Sequence, residues 1–266
     1  MGALTTAVYD SATMLGREFK HTLRFPLLLL MPIMAPVVML VLFDYILGGT
    51  IGQGLGDAAH GASYINFLVP GIIMMTVASG TGPTAINVNT DVAGGFVDRI
   101  LAMAVTRGAL LAGHVGGSVM RTLIATTAIT VVALVAGFRS HASLGNWLAV
   151  AGVVAAFAFA MAWLAAAIGL ATRSVAGANG STLPLQFVLP FLSSTFIPSD
   201  LMPVGVRWFA ANQPFTAVVD TLRGLLTGAP VGNSAYLAFV WCAAIALVGY
   251  IWTQAAFRRG ANVTSQ

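Results

Sequence analysis

Charge is what this sequence has least of: Asp, Glu, Lys and Arg together make up 8% of its 266 residues. A soluble globular domain is typically about 25% charged, and so few charges cannot cover a water-exposed surface. With 58% hydrophobic residues and a mean hydropathy of +0.89, the chain is an integral membrane protein. Cysteine is nearly absent as well. Cys242 stands alone inside an apolar run, which excludes an intramolecular disulfide and a thiol metal cluster. There is one lysine, Lys20, in Phe19-Lys20-His21 with no glycine run ahead of it. A P-loop needs G-x-x-x-x-G-K-[ST], so the chain is not a P-loop ATPase. His21, His60, His114 and His141 are far apart, and none sits in H-E-x-x-H. The glycine-rich stretch 48–56 lacks G-x-G-x-x-G spacing and has no strand before it, which excludes a dinucleotide fingerprint. The net charge of +4 comes from basic residues at the ends of apolar runs, not from a patch. That pattern reports membrane topology and gives no nucleic-acid surface.

What is there is hydrophobic length. Six apolar runs, at about 25–47, 64–86, 118–138, 147–171, 183–197 and 235–257, read as spans of one transmembrane domain covering 1–266. The first carries Pro26, Pro32 and Pro36, with Asp44 near its far end. An intramembrane acid is a functional candidate, but Asp44 lies close enough to the interface for solvation or helix packing to account for it. Gly80, Gly82 and Pro83 predict a kink or an early exit in the second run. In the third, His114 and Arg121 place the core at 121–138, while Gly113 and Gly117 form a small-xxx-small pair. The fourth is rich in alanine and glycine. Residues 173–180 read as a polar loop. The fifth is short and holds Pro184, Pro190 and the polar group Ser193-Ser194-Thr195, which, with Asn66, suits interhelical hydrogen bonding.

Three stretches outside the runs are amphipathic. In 7–24, Val8, Ala12, Leu15, Phe19 and Leu23 share a stripe opposite Arg17, Lys20 and Arg24, as in a helix lying in the headgroup layer against membrane lipid. In 94–107, Phe96, Ile100 and Met103 make a stripe flanked by Asp98 and Arg99, preceded by Gly94 and Gly95 and closed by Arg107. Such a helix either docks into a groove on another protein or rests on lipid, and spacing alone leaves both open. In 198–233, Phe215, Val218, Val219, Leu222, Leu225 and Leu226 form a stripe with Asp220 and Arg223 on other faces, which predicts a short helix dipping into the outer interface. Six spans put both termini on one side. That side carries Arg17, Lys20, Arg24, Arg99, Arg107, Arg121, Arg173, Arg258 and Arg259, against Arg139, Arg207 and Arg223 on the other. The positive-inside rule places both termini in the cytoplasm.

Three motifs carry a family resemblance: Phe67-Leu68-Val69-Pro70-Gly71; Gly95-Phe96-Val97-Asp98-Arg99 with Met103 and Arg107; and Asn212-Gln213-Pro214-Phe215-Thr216 with Val219-Asp220-Thr221-Leu222-Arg223-Gly224-Leu225-Leu226. The chain resembles the permease subunit of ABC-2 type exporters of the daunorubicin/doxorubicin-resistance kind over nearly its whole length. It departs from the family pattern at Leu101, Ala104 and Asp220, where a basic residue, a proline and a glutamate are usual. The resemblance implies an all-α fold with six transmembrane helices, an N-terminal interfacial helix, a cytoplasmic coupling helix and an external re-entrant-type segment before the sixth span. It implies a coupling helix made of Gly95, Phe96, Val97, Asp98, Arg99, Ile100, Met103 and Arg107. The interfacial helix would present Arg17, Phe19, Lys20 and Arg24, and the external helix Asn212, Pro214, Phe215, Asp220, Leu222 and Arg223.

The implied partners are a cytoplasmic ABC ATPase, which binds the ATP and Mg, and a second permease, identical or related, meeting this one through the first and fifth spans. No cofactor is implied in this chain, and its place is a bacterial inner (plasma) membrane. A hydrophobic or amphipathic drug, natural product or lipid is the expected cargo. Two other functions fit less. An ion-coupled secondary transporter needs ionisable groups at the span centres, which are almost free of them. A lipid-modifying enzyme would need paired carboxylates such as Asp91 and Asp98.

Overall fold

The computed structural model describes residues 26–47, 64–94 and 107–263, and these residues form only helices and their connections. They are α1 (Pro26–Leu47), α2 (Tyr64–Ser79), α3 (Thr81–Ala93), α4 (Arg107–Val135), α5 (Leu144–Ala171) and α6 (Val175–Leu183). A π-helical turn (Pro184–Val188) joins α6 to α7 (Leu189–Phe191). A 3₁₀ turn (Ser199–Leu201) then leads to α8 (Val204–Asn212), α9 (Pro214–Thr227) and α10 (Ser234–Val263). Four stretches are long and apolar enough to cross a bilayer: Tyr64–Ala93, Leu111–Val135, Leu144–Ala171 and Ser234–Ala256. The apolar part of α1 within reach of that measure, Ile33–Ile46, is shorter.

The core follows from side-chain size and position. α5 packs against α3, α4, α9 and α10, and its buried face is largely alanine: Ala158, Ala160, Ala162, Ala165, Ala166 and Ala167. Small side chains let neighbouring backbones approach when no water drives helices together. α2 is buried all round from Leu68 to Ala78, as expected of a helix enclosed by others. α10 instead leaves Phe239, Val240, Leu247, Val248 and Ile251 exposed, a lipid-facing pattern. α4 stops because Gly137 takes φ +112°. The Phe138 N–H then bonds the Ala133 carbonyl and the Gly137 N–H the Leu134 carbonyl, a Schellman closure. Phe138 folds back into the core and is fully buried.

Several expected boundaries are wrong. The second span does not exit near Ile86. It breaks at Gly80 and resumes to Ala93, because Pro83 falls in the first turn of α3, where no intrahelical N–H bond is lost. The third span begins well before 118, at Leu111 within a helix that starts at Arg107, with His114 buried inside it. Residues 175–180, expected in a loop, open α6 behind the N-cap Ser174, whose hydroxyl accepts from the Gly177 N–H. The fifth run is therefore helical over 175–191, not 183–197. At about 1.5 Å per residue it reaches about 25 Å, short of a bilayer core of about 30 Å. Pro184 and Pro190 lack the N–H groups a regular helix needs, and the π-turn between them, closed by Leu189 N–H to the Pro184 carbonyl, absorbs the mismatch.

Candidate functional site

After Phe191 the chain turns back inside the bundle, and the turn at 192–197 exposes backbone carbonyls where water is scarce. Irregular backbone at that depth is tolerated only when protein groups satisfy it. Three side chains do so on alternate residues. Gln213 Nε2 donates to the Leu192 carbonyl, Arg223 Nη2 to the Ser194 carbonyl at 2.8 Å and Tyr64 Oη to the Phe196 carbonyl at 3.3 Å. The Ser193 hydroxyl donates to the Pro190 carbonyl at 2.6 Å, and the Ser194 N–H is taken by Thr216 Oγ1 at 3.2 Å. The other side of the turn is apolar: Phe196 stacks on Phe43 of α1 and on Phe191, with ring centroids 4.6 and 4.7 Å apart. Gly71 lets the turn lie directly on α2, since a Cβ there would sit 2.5 Å from Thr195 Cγ2 and 2.8 Å from its carbonyl oxygen.

The centre of this arrangement is Arg223. Its Nη1 lies 2.6 Å from Asp220 Oδ1, which also accepts from the Ser194 hydroxyl at 2.8 Å. The guanidinium carbon stands 3.9 Å from the Phe67 ring centroid, and Nη2 approaches the Phe67 carbonyl at 3.4 Å. Burial pushes the guanidinium down from its ordinary value, and the charge and hydrogen bond of Asp220 pull it back. The sequence predicts an exposed i,i+3 pair, a modest surface interaction. Instead the Arg223 side chain is 19% exposed and that of Asp220 36%, and the pair ties α9 to the turn and to α2.

The apolar stripe of α9 faces the protein. Phe215, Val218, Val219, Leu222 and Leu226 are fully buried within the protein, and Phe215 meets Phe157 of α5 edge-on at 5.1 Å. The expected stripe is real, but its partner is the bundle, and a second helix, α8, precedes it. Pro214 opens α9 at its first position, where a missing N–H costs nothing. At the far end Gly228 adopts φ +76°. The last carbonyls are met from residues 139–146, the turn after α4 together with the first residues of α5: Leu226 by the Ser140 hydroxyl and the His141 N–H, Leu225 by Asn146 Nδ2. Asn66 Oδ1 accepts from the Arg139 N–H at 3.0 Å. Asn212 stands apart, bonded to the Trp208 carbonyl in its own helix.

Of the sequence-derived residues, Phe215, Asp220, Leu222 and Arg223 therefore converge, together with Ser193, Ser194 and Thr195. Gln213, Phe67 and Tyr64 were not picked out as their partners. The available signal is a Ser-Ser-Thr group starting three residues after Pro190 in an apolar run, where a helix that ends inside the protein leaves carbonyls in need of donors from elsewhere. Residues Arg17, Phe19, Lys20, Arg24, Gly95, Phe96, Val97, Asp98, Arg99, Ile100 and Met103 lie outside the described residues, as does the side chain of Arg107, whose backbone opens α4. Asp91, raised as a possible catalytic carboxylate, faces His114 at 3.1 Å. No group of residues suited to hold a metal occurs among the described residues.

The described residues thus form a helical bundle with four stretches long and apolar enough to cross a bilayer, in which the turn at 192–197 is held by α9 and α2. The chain belongs to the ABC-2 type transporter family, whose profile matches residues 10–227. It is 28% identical to the daunorubicin resistance ABC transporter permease protein DrrB1 of Streptomyces coeruleorubidus, over 85% of this chain and 78% of the relative. It is 24% identical to the probable doxorubicin resistance ABC transporter permease protein DrrC of Mycobacterium tuberculosis, over 86% and 83%. The inner membrane transport permease YadH of Escherichia coli is 31% identical over 77% and 78%. The protein is thus the membrane subunit of an ABC exporter, a multi-pass protein of the plasma membrane by its spans and its family.

Proposed function

We propose that this permease exports a hydrophobic or amphipathic compound, powered by ATP and Mg bound in a separate cytoplasmic ATPase. One transmembrane domain over 1–266 would have six spans: the four long ones, α1, and the helical run 175–191 with its return through 192–197. Both termini would be cytoplasmic, with α9 and residues 139–146 at the external end. Residues 95–107 would be the coupling helix and 7–24 an interfacial helix beside the ATPase. A second permease, identical or related, would cover α1 and the 175–191 run. In support, Val38, Leu42 and Tyr45 on α1 and Phe187, Val188 and Phe191 on the run are exposed.

The observation that supports this reading is the pinned reversal at 192–197, which follows a helical run too short to cross a bilayer as a regular helix and is held to the bundle by α9. Apolar cargo is supported by a lateral groove of about 320 Å³ between α4 and α5, lined by Ile73, Leu123, Thr126, Thr130, Trp147 and Val150 among others. The Thr126, Thr127 and Thr130 hydroxyls all bond carbonyls of their own helix, so these three groups in the wall are already occupied and the remaining lining is mostly apolar.

The test addresses the coupling segment. If Phe96 and Ile100 anchor in an ATPase cleft, truncating such a buried aromatic costs about 2 kcal/mol or more, whereas Asp98 and Arg99 at the rim set orientation. Phe96→Ala is expected to leave the permease in the membrane, weaken its hold on the ATPase in a detergent pull-down and lower stimulated hydrolysis. Arg99→Ala should act more mildly. Normal ATPase recovery and hydrolysis in Phe96→Ala, at matched membrane levels, would remove Phe96 from that role.

A further inference from the structure

At the end of the bundle opposite α9, a second set of polar contacts joins α3, α4 and α5. Asn89 Nδ2 donates to the Gly169 carbonyl at 3.0 Å and the Thr172 carbonyl at 2.7 Å. Gly169 is within the last four residues of α5, whose carbonyls have no intrahelical partner. Two residues on, about 200° round the helix, Asp91 Oδ2 lies 3.1 Å from His114 Nε2 of α4. Further along, Thr84 Oγ1 and Ser118 Oγ share a hydrogen bond of 2.6 Å. α3 and α5 also touch almost backbone to backbone, since a Cβ on Gly169 would fall 2.5 Å from the Ala85 carbonyl oxygen. One face of α3 is thus fastened to the end of α5 and the other to the start of α4.

Connectivity gives this arrangement a consequence. α3 ends at Ala93 and α4 begins at Arg107, so the chain ties the segment between them directly to these two helices. We propose that Asn89, Asp91 and His114 are positioning residues of the transport cycle: they make α3 a strut that carries displacement of the 95–106 connection to the end of α5. This rests on the coupling role proposed above for that connection. The pair is poorly placed to act as a static clamp. The Asp91 side chain is 33% exposed, so water can take over much of what its contact with His114 adds to stability. The helices already pack here through Ala85, Ala165, Ile168 and Ala178, and through Leu111, Val115, Ala162 and Trp163. The polar contacts add direction and register. They hold α3 against sliding along α4 and α5, which apolar contacts resist only weakly.

Hydrogen–deuterium exchange on the permease–ATPase complex in lipid nanodiscs tests this without a transported compound. Nucleotide-free complex is compared with complex trapped by ATP and vanadate. In the wild type, peptides over 107–114 and over 167–174 are expected to change together. In Asn89→Ala, which removes the side-chain contact of α3 with the end of α5, the first is expected to change while the second stays at its nucleotide-free level. In Asp91→Ala and in His114→Ala, which free α3 from α4, the second response is expected to shrink, and His114→Gln, whose amide N–H can donate to the same carboxylate, should restore it. A wild-type response at 167–174 in Asn89→Ala overturns the strut, and a wild-type response in both other alanine variants overturns the part given to Asp91 and His114. Loss of the folded complex in Asn89→Ala makes the contact a structural clamp and overturns the strut as well. Absence of any change at 107–114 in the wild type overturns the coupling role itself, and the strut with it.

Discussion

At the scale of single residues, Arg223 does more than its position on a helix surface suggests. It supplies a donor to the Ser194 carbonyl, a counter-charge to Asp220 and a cation over the Phe67 ring. Removing one partner of a buried ion pair costs about 3–5 kcal/mol, because the other charge is left uncompensated. The partial exposure of Asp220 lets water recover some of that, so Arg223→Met is expected nearer the low end. Asp220→Asn keeps an acceptor for Ser194 and Arg223 but leaves the more buried guanidinium without its counter-charge, so it should cost a similar amount. Leu222 is fully buried, and a carboxylate there has no partner and no water, so Leu222→Asp should be the most damaging. Fluorescence-detected size exclusion after a temperature ramp should place Leu222→Asp below both of the others. Equal midpoints for Arg223→Met and the wild type would show that the turn does not need its guanidinium.

At the scale of elements, the decisive contact is turn against helix. Gly71 has no room for a side chain beside Thr195, whereas Gly152, on an exposed face of α5, has nothing within 4 Å of its would-be Cβ. Overpacking costs about 1–3 kcal/mol. Exchanging an unconstrained helical glycine for alanine instead gains up to about 1 kcal/mol. Gly71→Ala should therefore lower the unfolding midpoint and Gly152→Ala should hold or raise it; the reverse order would mean the turn does not rest on α2. This contrast also marks how much the sequence revealed. Long helices were legible, because twenty or so apolar residues admit one structure in a bilayer. The stripe of α9 was legible by its period, as were the charges within it. What covers the stripe was not, since a periodic apolar face is equally consistent with lipid and with protein. The start of α6 was hidden because Ser174 to Gly180 is polar enough to read as a loop, although Ser174 caps a helix. The Gln213, Arg223 and Tyr64 donors are separated by up to 159 positions in sequence, and only the reversal after Pro190 brings them to one place.

At the scale of the whole molecule, the two polar systems sit at opposite ends of one bundle. Residues 139–146 bond the end of α9, and Asn66 bonds Arg139, so residues 66, 139–146 and 226 share one end. Asn89 bonds Thr172, so residues 89–91 and 172–174 share the other. The basic residues assign sides to these ends. Arg173 belongs to the second, with Arg99 and Arg107 next to α3 and α4 in sequence, whereas Arg139 and Arg223 belong to the first. Positive charge favours the cytoplasm, so the α9 end should face outward. Single cysteines, in a background with Cys242 replaced, test this with a membrane-impermeant thiol reagent on intact cells. Cysteine at Ser234 or Gly54 should label and cysteine at Ser174 or Ala102 should not. Labelling at Ser174 but not at Ser234 would invert the molecule and put the 95–107 segment outside, beyond reach of any cytoplasmic ATPase. Labelling at both would break the bundle itself, because the helices place Ser174 and Ser234 at opposite ends whichever way it faces.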